Sequence, residues 1–114
     1  MQLNVSQLET GIKLVKLTGR LDMQGTMQIE NAFTFATSTG TAPIVVEMSE
    51  VDFLASIGMR LLLSNAKALA RRGAKMALVH PTPVVKDALT IAGFDQLIPM
   101  YDELDAAYAA LALR

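Results

Sequence analysis

Ser56 is the residue of this chain whose position could do chemistry. It lies in the run Val51-Asp52-Phe53-Leu54-Ala55-Ser56-Ile57-Gly58-Met59-Arg60-Leu61-Leu62-Leu63. An apolar run, Ile44-Val45-Val46-Glu47-Met48, precedes it, and an amphipathic pattern follows. This predicts a strand, a short loop and a serine at a helix start. A hydroxyl there has two uses. It can cap the helix, a role worth about 1 kcal/mol against Ala. It can also accept a phosphoryl group, because a helix N-terminus offers free N–H donors and a positive dipole end to an anion. Around it, Gly58 in the first turn either lets a phosphate or partner come close or lets the helix pack tightly on the sheet. Of Ile57 and Met59, one is expected in the core, leaving the other as an adaptable apolar contact. Asp22 in Gly19-Arg20-Leu21-Asp22 is a turn or cap residue by default, and Asp52 a loop-stabilising one.

Other chemistries find little support. The chain has no Cys and a single His, which excludes a disulfide, a thiolate metal site and a His cluster, so no metal or cofactor is expected. A Gly-x-Ser-x-Gly elbow and a Walker phosphate loop are both absent. A serine hydrolase would need His80 to approach Ser56 in space. A formal net charge of -1 announces neither nucleic acid nor an anionic membrane as a partner. No apolar run reaches the ~18 residues of a membrane span, and the N-terminus lacks a secretory pattern. A cytoplasmic protein is the expectation.

The elements that must position Ser56 follow from periodicity. Residues 1–114 contain no repeat or linker and read as one domain with a substantial core, 52% of residues being hydrophobic. Residues 2–8 and 12–18 suggest two strands joined at Glu9-Thr10-Gly11 as a hairpin. Leu14-Val15 and Leu17 break strict alternation, which implies cover on both faces. Gly19-Arg20-Leu21-Asp22 reads as a loop. A helix is predicted from about Gly25 to Ser38, with Ile29, Ala32, Phe33 and Ala36 inward. A central strand is predicted over Ile44–Met48. In the next helix Met59, Leu62, Leu63, Ala66 and Ala70 form the apolar face, with Arg60, Ser64, Lys67 and Arg71 on a solvated one, ending at Gly73. A strand over Lys75–Val79 follows, then a helix capped by Thr82 with Pro83 at its first position, carrying Val85, Ala88, Leu89 and Ala92 inward to Gly93. A short edge strand is predicted at Leu97–Met100. Asp102 is expected to cap a last helix with Leu104, Ala107, Tyr108 and Leu111 inward. The order predicts an α/β fold: a mixed sheet of four or five strands packed with about four helices.

The segment Glu47-Met48-Ser49-Glu50-Val51-Asp52-Phe53-Leu54-Ala55-Ser56-Ile57-Gly58-Met59-Arg60-Leu61-Leu62 resembles the signature of STAS domains, the family of bacterial anti-sigma-factor antagonists. Gly19-Arg20-Leu21-Asp22 is similar to the family's Gly-x-Leu-Asp stretch, and the element order fits over about residues 3–112. The resemblance implies a STAS-like fold and a non-enzymatic protein. Unmodified, such a protein binds an anti-sigma factor, often a serine kinase of the histidine-kinase-like ATPase type, and so frees a sigma factor. Phosphorylation releases it, and a PP2C-type phosphatase reverses the change. By position, Ser56 matches the acceptor, Asp22 the acid near it and Gly58 the glycine of the helix start. Ala55 and Ile57 stand where the family pattern has Asp and Ser, and Glu47 where it more often has Asp. The alternative is a constitutive STAS subunit of a lipid-transport or signalling assembly, with Ser56 as a cap or interface residue.

Overall fold

Four parallel strands in sequential order set the frame, with one antiparallel strand at the edge. The computed structural model describes residues 1–8, 11–38 and 40–112. The elements are β1 (Gln2–Gln7), β2 (Lys13–Leu21), α1 (Met23–Ser38), β3 (Ile44–Leu54), α2 (Ser56–Arg71), β4 (Met76–Val79), α3 (Pro83–Ile91), a 3-10 turn (Phe94–Gln96), β5 (Met100–Tyr101) and α4 (Leu104–Ala112). The sheet runs β1-β2-β3-β4-β5; β1 is antiparallel to β2, and the other pairs are parallel. The five strands and four helices are those of the predicted mixed α/β fold. Residues 9 and 10 of the expected hairpin turn lie outside the described residues.

Alternation decides which side chains meet which helices. Ile44, Val46 and Met48 of β3 and Met76 and Leu78 of β4 face α1, α2 and α3, where they meet Ile29, Phe33, Leu61, Leu62, Leu69, Val85 and Leu89. Val45, Ala77 and Val79 face the other way, toward Ala107 and Leu111 of α4. The central strands are therefore apolar throughout because both faces are covered. Val15 and Leu17 join the first cluster and Leu14 the second, which accounts for the broken alternation of β2.

Several local expectations are corrected. Residues 19–21 continue β2 instead of forming a loop, and β3 runs on to Leu54. The extension pairs with β2 alone, since β4 ends opposite Glu47. Its register slips twice: Lys16 faces Glu47, Thr18 faces Glu50, Gly19 faces Val51 and Arg20 faces Phe53. Such bulges leave residues outside the ladder. Asp52 is one of them, exposed and in a strand, not a loop-stabilising residue. Polar residues in a one-sided, bulged strand look like loop in sequence. The edge strand falls at Met100–Tyr101, because Phe94–Gln96 form a 3-10 turn first.

Helix faces also shift. In α2 the buried residues are Gly58, Leu61, Leu62, Asn65 and Leu69, while Ala70 is exposed. Asn65 is tolerated inside because Thr37 Oγ1 donates to its Oδ1 at 2.7 Å and its Nδ2 donates to the Leu61 carbonyl at 2.9 Å. In α1 Ala32 is exposed, and in α3 Ala92 has left the helix and is exposed. Thr82 is the cap residue of α3, but its hydroxyl donates to the Val51 carbonyl at 2.9 Å, serving a stretch of β3 that has no β4 neighbour. Asp102 meets Lys86 at 3.4 Å. Gly73 ends α2 as expected: at φ 78 it donates to Ala70, and Ala74 donates back to Leu69.

Gly25 is fixed by sterics. A Cβ there would lie 1.9 Å from the Arg20 carbonyl oxygen, which belongs to the backbone of β2. Gly25→Ala is expected to lower stability by about 1–3 kcal/mol despite Ala's better helix propensity, because the strand end must move. Urea unfolding monitored by circular dichroism checks this; an unchanged or raised midpoint would contradict it.

Candidate functional site

The site is built on two strand ends that stop side by side. Leu21 and Leu54 are the last paired residues of β2 and β3, and the Ala55 N–H donates to the Leu21 carbonyl at 2.9 Å. The chain after each strand turns at once into a helix. Asp22 precedes α1 and Ala55 precedes α2, so Asp22 and Ser56 each lie one residue beyond the Leu21–Ala55 hydrogen bond. Two helix N-termini thus open at one end of the sheet. Among the described residues no hydrogen bond joins Asp22 to Ser56.

The two starts are treated differently. At α1, Asp22 Oδ1 accepts from the Gly25 N–H at 2.8 Å, and the Asp22 carbonyl accepts from Thr26. Asp22 is the cap of α1, which is why that helix begins two residues before its predicted start. The Gly25 N–H holds the Asp22 carboxyl below its usual range, with further help from Arg20, whose Nε lies 3.4 Å from Oδ2. At α2 the cap position is Ala55, with extended backbone and no side-chain acceptor. Ser56 is the first residue inside the helix, so the expected capping role is corrected. The Gly58 and Met59 N–H groups both turn back to the Ala55 carbonyl, at 3.0 and 3.1 Å. The N–H groups of Ser56 and Ile57 have no acceptor within the helix, as at any helix start. The Ser56 side chain is exposed and makes no hydrogen bond among the described residues.

Gly58 packs the helix start on the sheet. A Cβ would lie 3.0 Å from Leu54 Cδ1, 3.1 Å from Leu21 Cβ and 3.1 Å from the Leu21 carbonyl oxygen. Gly58 is buried, so tight packing, not open approach, is its role here. Met59 is half-buried against the main core. Ile57 is half-buried too, and lines a groove between α1 and α2 with Thr26, Glu30, Arg60, Leu61 and Ser64. The apolar side chains most open to a partner at this end are Met23 and Met27, 66% and 65% exposed, one turn apart on α1. Sequence reasoning missed Met23 because it began α1 at Gly25, and it named only the inward face of that helix, which leaves out Met27. It also missed Arg20, whose guanidinium lies 4.4 Å from the Phe53 ring centre, a pairing across β2 and β3 that no local pattern reveals.

His80 does not serve Ser56. Its Nδ1 is 2.8 Å from Glu47 Oε2 and its Nε2 is 3.8 Å from Glu103 Oε2, so both ring nitrogens face carboxylates. The hydrolase alternative therefore lacks its base. Glu47 itself lies inside β3, not at a strand end. No group of three or more His, Asp or Glu side chains suited to a metal is found among the described residues, and no helix among them is long and apolar enough to cross a membrane.

Residues 5–107 match the STAS domain family. The chain belongs to that family. BtrV of Bordetella bronchiseptica, described as a candidate anti-sigma factor antagonist, is 26% identical over 110 residues, 96% of this chain and 94% of that protein. The crystal structure of an anti-sigma factor antagonist from Mycobacterium paratuberculosis is 26% identical, covers 97% of this chain and 93% of that one, and superposes with a TM-score of 0.85. Unphosphorylated SpoIIAA, an anti-sigma factor antagonist, shares the fold at a TM-score of 0.80 and 19% identity, over 99% of this chain and 98% of its own. The Bacillus SpoIIAA has a phosphorylated form that matches at 0.71 over 96% and 99% of the two chains, with 19% identity.

In the STAS pattern the residue before the serine is Asp; here that position is the α2 cap and holds Ala55, which leaves the helix start without an acceptor. Ala55→Asp is expected to stabilise the unmodified protein by about 0.5–2 kcal/mol. Thermal or urea unfolding of the two proteins measures this, and a lower midpoint for the variant would contradict the cap assignment. Asp22→Asn keeps a capping oxygen and is expected to retain more stability than Asp22→Ala. Because the folded Asp22 carboxyl sits low, its contribution is present above its ordinary pKa and is lost as the pH falls through the lowered one.

Proposed function

We propose that this STAS domain is an anti-sigma-factor antagonist switched by phosphorylation of Ser56. The observation that carries this is the exposed, unbonded Ser56 hydroxyl at the first position of a helix whose cap residue brings no acceptor. The names of the relatives agree with the antagonist part. The unmodified surface made by Asp22, Ile57 and Met59 around Ser56, seated on the sheet by the buried Gly58 and widened by Met23 and Met27, binds the anti-sigma factor in the cytoplasm. That partner is a serine kinase of the histidine-kinase-like ATPase type. The Ser56 Oγ attacks the γ-phosphorus of ATP, a new O–P bond forms, the bridging bond to ADP breaks, and the hydroxyl proton passes to a base of the kinase. A PP2C-type phosphatase hydrolyses the phosphoserine. The domain itself supplies no catalytic group.

Physical chemistry makes the two states differ strongly. A phosphate adds about −1.5 to −2 charge and three acceptor oxygens. The open N–H groups of α2 and Arg60, one turn on at i+4, favour that charge within the free domain. Against a docked partner it must be desolvated, and a hundredfold loss of affinity needs only about 2.7 kcal/mol.

The protein incubated with ATP and its cognate kinase is expected to carry one phosphate, located at Ser56 by mass spectrometry. Ser56→Ala should bind the anti-sigma factor like the parent, and Ser56→Asp about tenfold to a hundredfold more weakly by calorimetry. Phosphate elsewhere would overturn the site. Unchanged binding by Ser56→Asp would favour the constitutive-subunit alternative.

A further inference from the structure

We propose that His80, Glu47 and Glu103 form a proton-operated fastening of α4: with Nε2 protonated, His80 bridges Glu47 of β3 and Glu103 at the head of α4, and loss of that one proton frees Glu103 and loosens α4 from the sheet. This device is separate from the Ser56 site and does not depend on the function proposed for it.

The geometry assigns the protons. The Nδ1–Glu47 contact is short, 2.8 Å, and Glu47 is the less exposed carboxylate, at 14%. Its other oxygen accepts from the Ser49 N–H at 2.8 Å. A proton on Nδ1 is held there in either charge state of the ring. The Nε2 proton is therefore the one that comes off, and Nε2 is the atom facing Glu103 at 3.8 Å. Neutral His80 then points a lone pair at a carboxylate, and the attraction is gone.

His80 is also held in place for this contact. Its backbone sits at φ 53, the left-handed region that side chains other than glycine rarely adopt. Its N–H donates to the Tyr101 carbonyl at 3.0 Å, which ties the residue to β5. The strained turn swings the imidazole between β3 and the start of α4. Where α4 meets the sheet it buries Ala107 and Leu111, with Leu104 and Tyr108 partly covered, against Ile12, Val45, Ala77 and Val79. The helix behind this seam is short, Leu104–Ala112, so a polar contact at its head has leverage on local opening.

The charges facing the imidazole come from every element packed there. Glu47 lies on β3, Glu103 precedes α4, and Asp105 of α4 lines the same hollow with His80 and Leu104. Tyr108 of α4 is pushed up by burial, then by Asp105 and Glu47. Lys86 of α3 is taken by Asp102. The hydrogen bond to Glu47 raises the His80 pKa above its ordinary value; burial opposes this, and Glu47 and Glu103 add to it by charge. Burial would push Glu47 up, but the hydrogen bonds from His80 and Ser49 outweigh it and hold Glu47 low. A raised histidine stabilises the fold fully below its unfolded pKa and loses that contribution as pH rises through the folded one. A lowered carboxylate does so above its unfolded pKa and loses it in acid. The fastening is thus closed in mildly acidic solution and opens on the alkaline side of 6.5, the ordinary value for histidine.

The chain is well suited to the test. It has one His, no Cys and no Trp, and its two tyrosines, Tyr101 and Tyr108, both lie at the α4 seam. The α-amino group of Met1 rests on Gln28 of α1. With the full chain, imidazole NMR, tyrosine near-ultraviolet circular dichroism and amide hydrogen exchange are followed from about pH 5.5 to 9, below tyrosine ionisation. The imidazole midpoint is expected above 6.5, with the tyrosine signal changing at the same midpoint. Exchange in α4, corrected for its intrinsic pH dependence, should quicken about two- to fivefold, the range of an exposed ion pair. His80→Asn should abolish the step. Glu103→Gln changes a residue 78% exposed; it should leave the imidazole titrating at a lower midpoint while removing the α4 step, and it decides the matter if His80→Asn does not fold. A flat α4 response in the parent, or a step that survives His80→Asn or Glu103→Gln, would overturn the proposal.

Discussion

The hydrogen bond from the Ala55 N–H to the Leu21 carbonyl, 2.9 Å long, is the interaction on which the site depends. It closes the parallel pairing of β2 and β3 where both strands end, and both helices start from it. The approach is close enough that neither helix start accepts a side chain on its inner face. Gly25 sits against the Arg20 carbonyl, and Gly58 against Leu21 and Leu54. Two glycines and one backbone bond thus place Asp22 and Ser56 on adjacent helix starts, with no hydrogen bond between their side chains among the described residues.

Electrostatics then separates the two starts. Parallel strands followed by helices bring like dipole ends together, which favours negative charge at that end of the sheet. The chain supplies one carboxylate, Asp22, and uses it to close α1. At α2 it supplies Ala55 and leaves the dipole uncompensated. A serine beside that open end can carry a phosphate in the free domain. The absence of a capping acid is thus compatible with a switch, because no carboxylate at the α2 cap repels the phosphate.

Much of this was legible from residue patterns. Apolar runs bounded by Gly and Pro gave the order of strands and helices, and Thr82-Pro83, Gly73 and Gly93 marked their ends. The apolar face of α4 was right in every member, because only one sheet face packs against it. Two of the failures share a cause: a contact distant in sequence. The second half of β3 is polar because its only neighbour is β2 and its register slips around Asp52. The buried face of α2 turns inward at Asn65 because Thr37, 28 residues away, satisfies it. Ser56 was found by spacing and resemblance, but its place inside the helix, with Ala55 as the cap, follows from where β3 ends.

On the proposed function, the partner reads the paired helix starts. The direct measurement is an amide NMR footprint of the isotope-labelled domain on addition of its cognate anti-sigma factor. The largest shifts and line broadening are expected on Asp22–Met27 and Ser56–Arg60, and they should vanish when Ser56 carries phosphate. A footprint centred on α4 or on the β1 edge, or one that phosphorylation leaves unchanged, would contradict it.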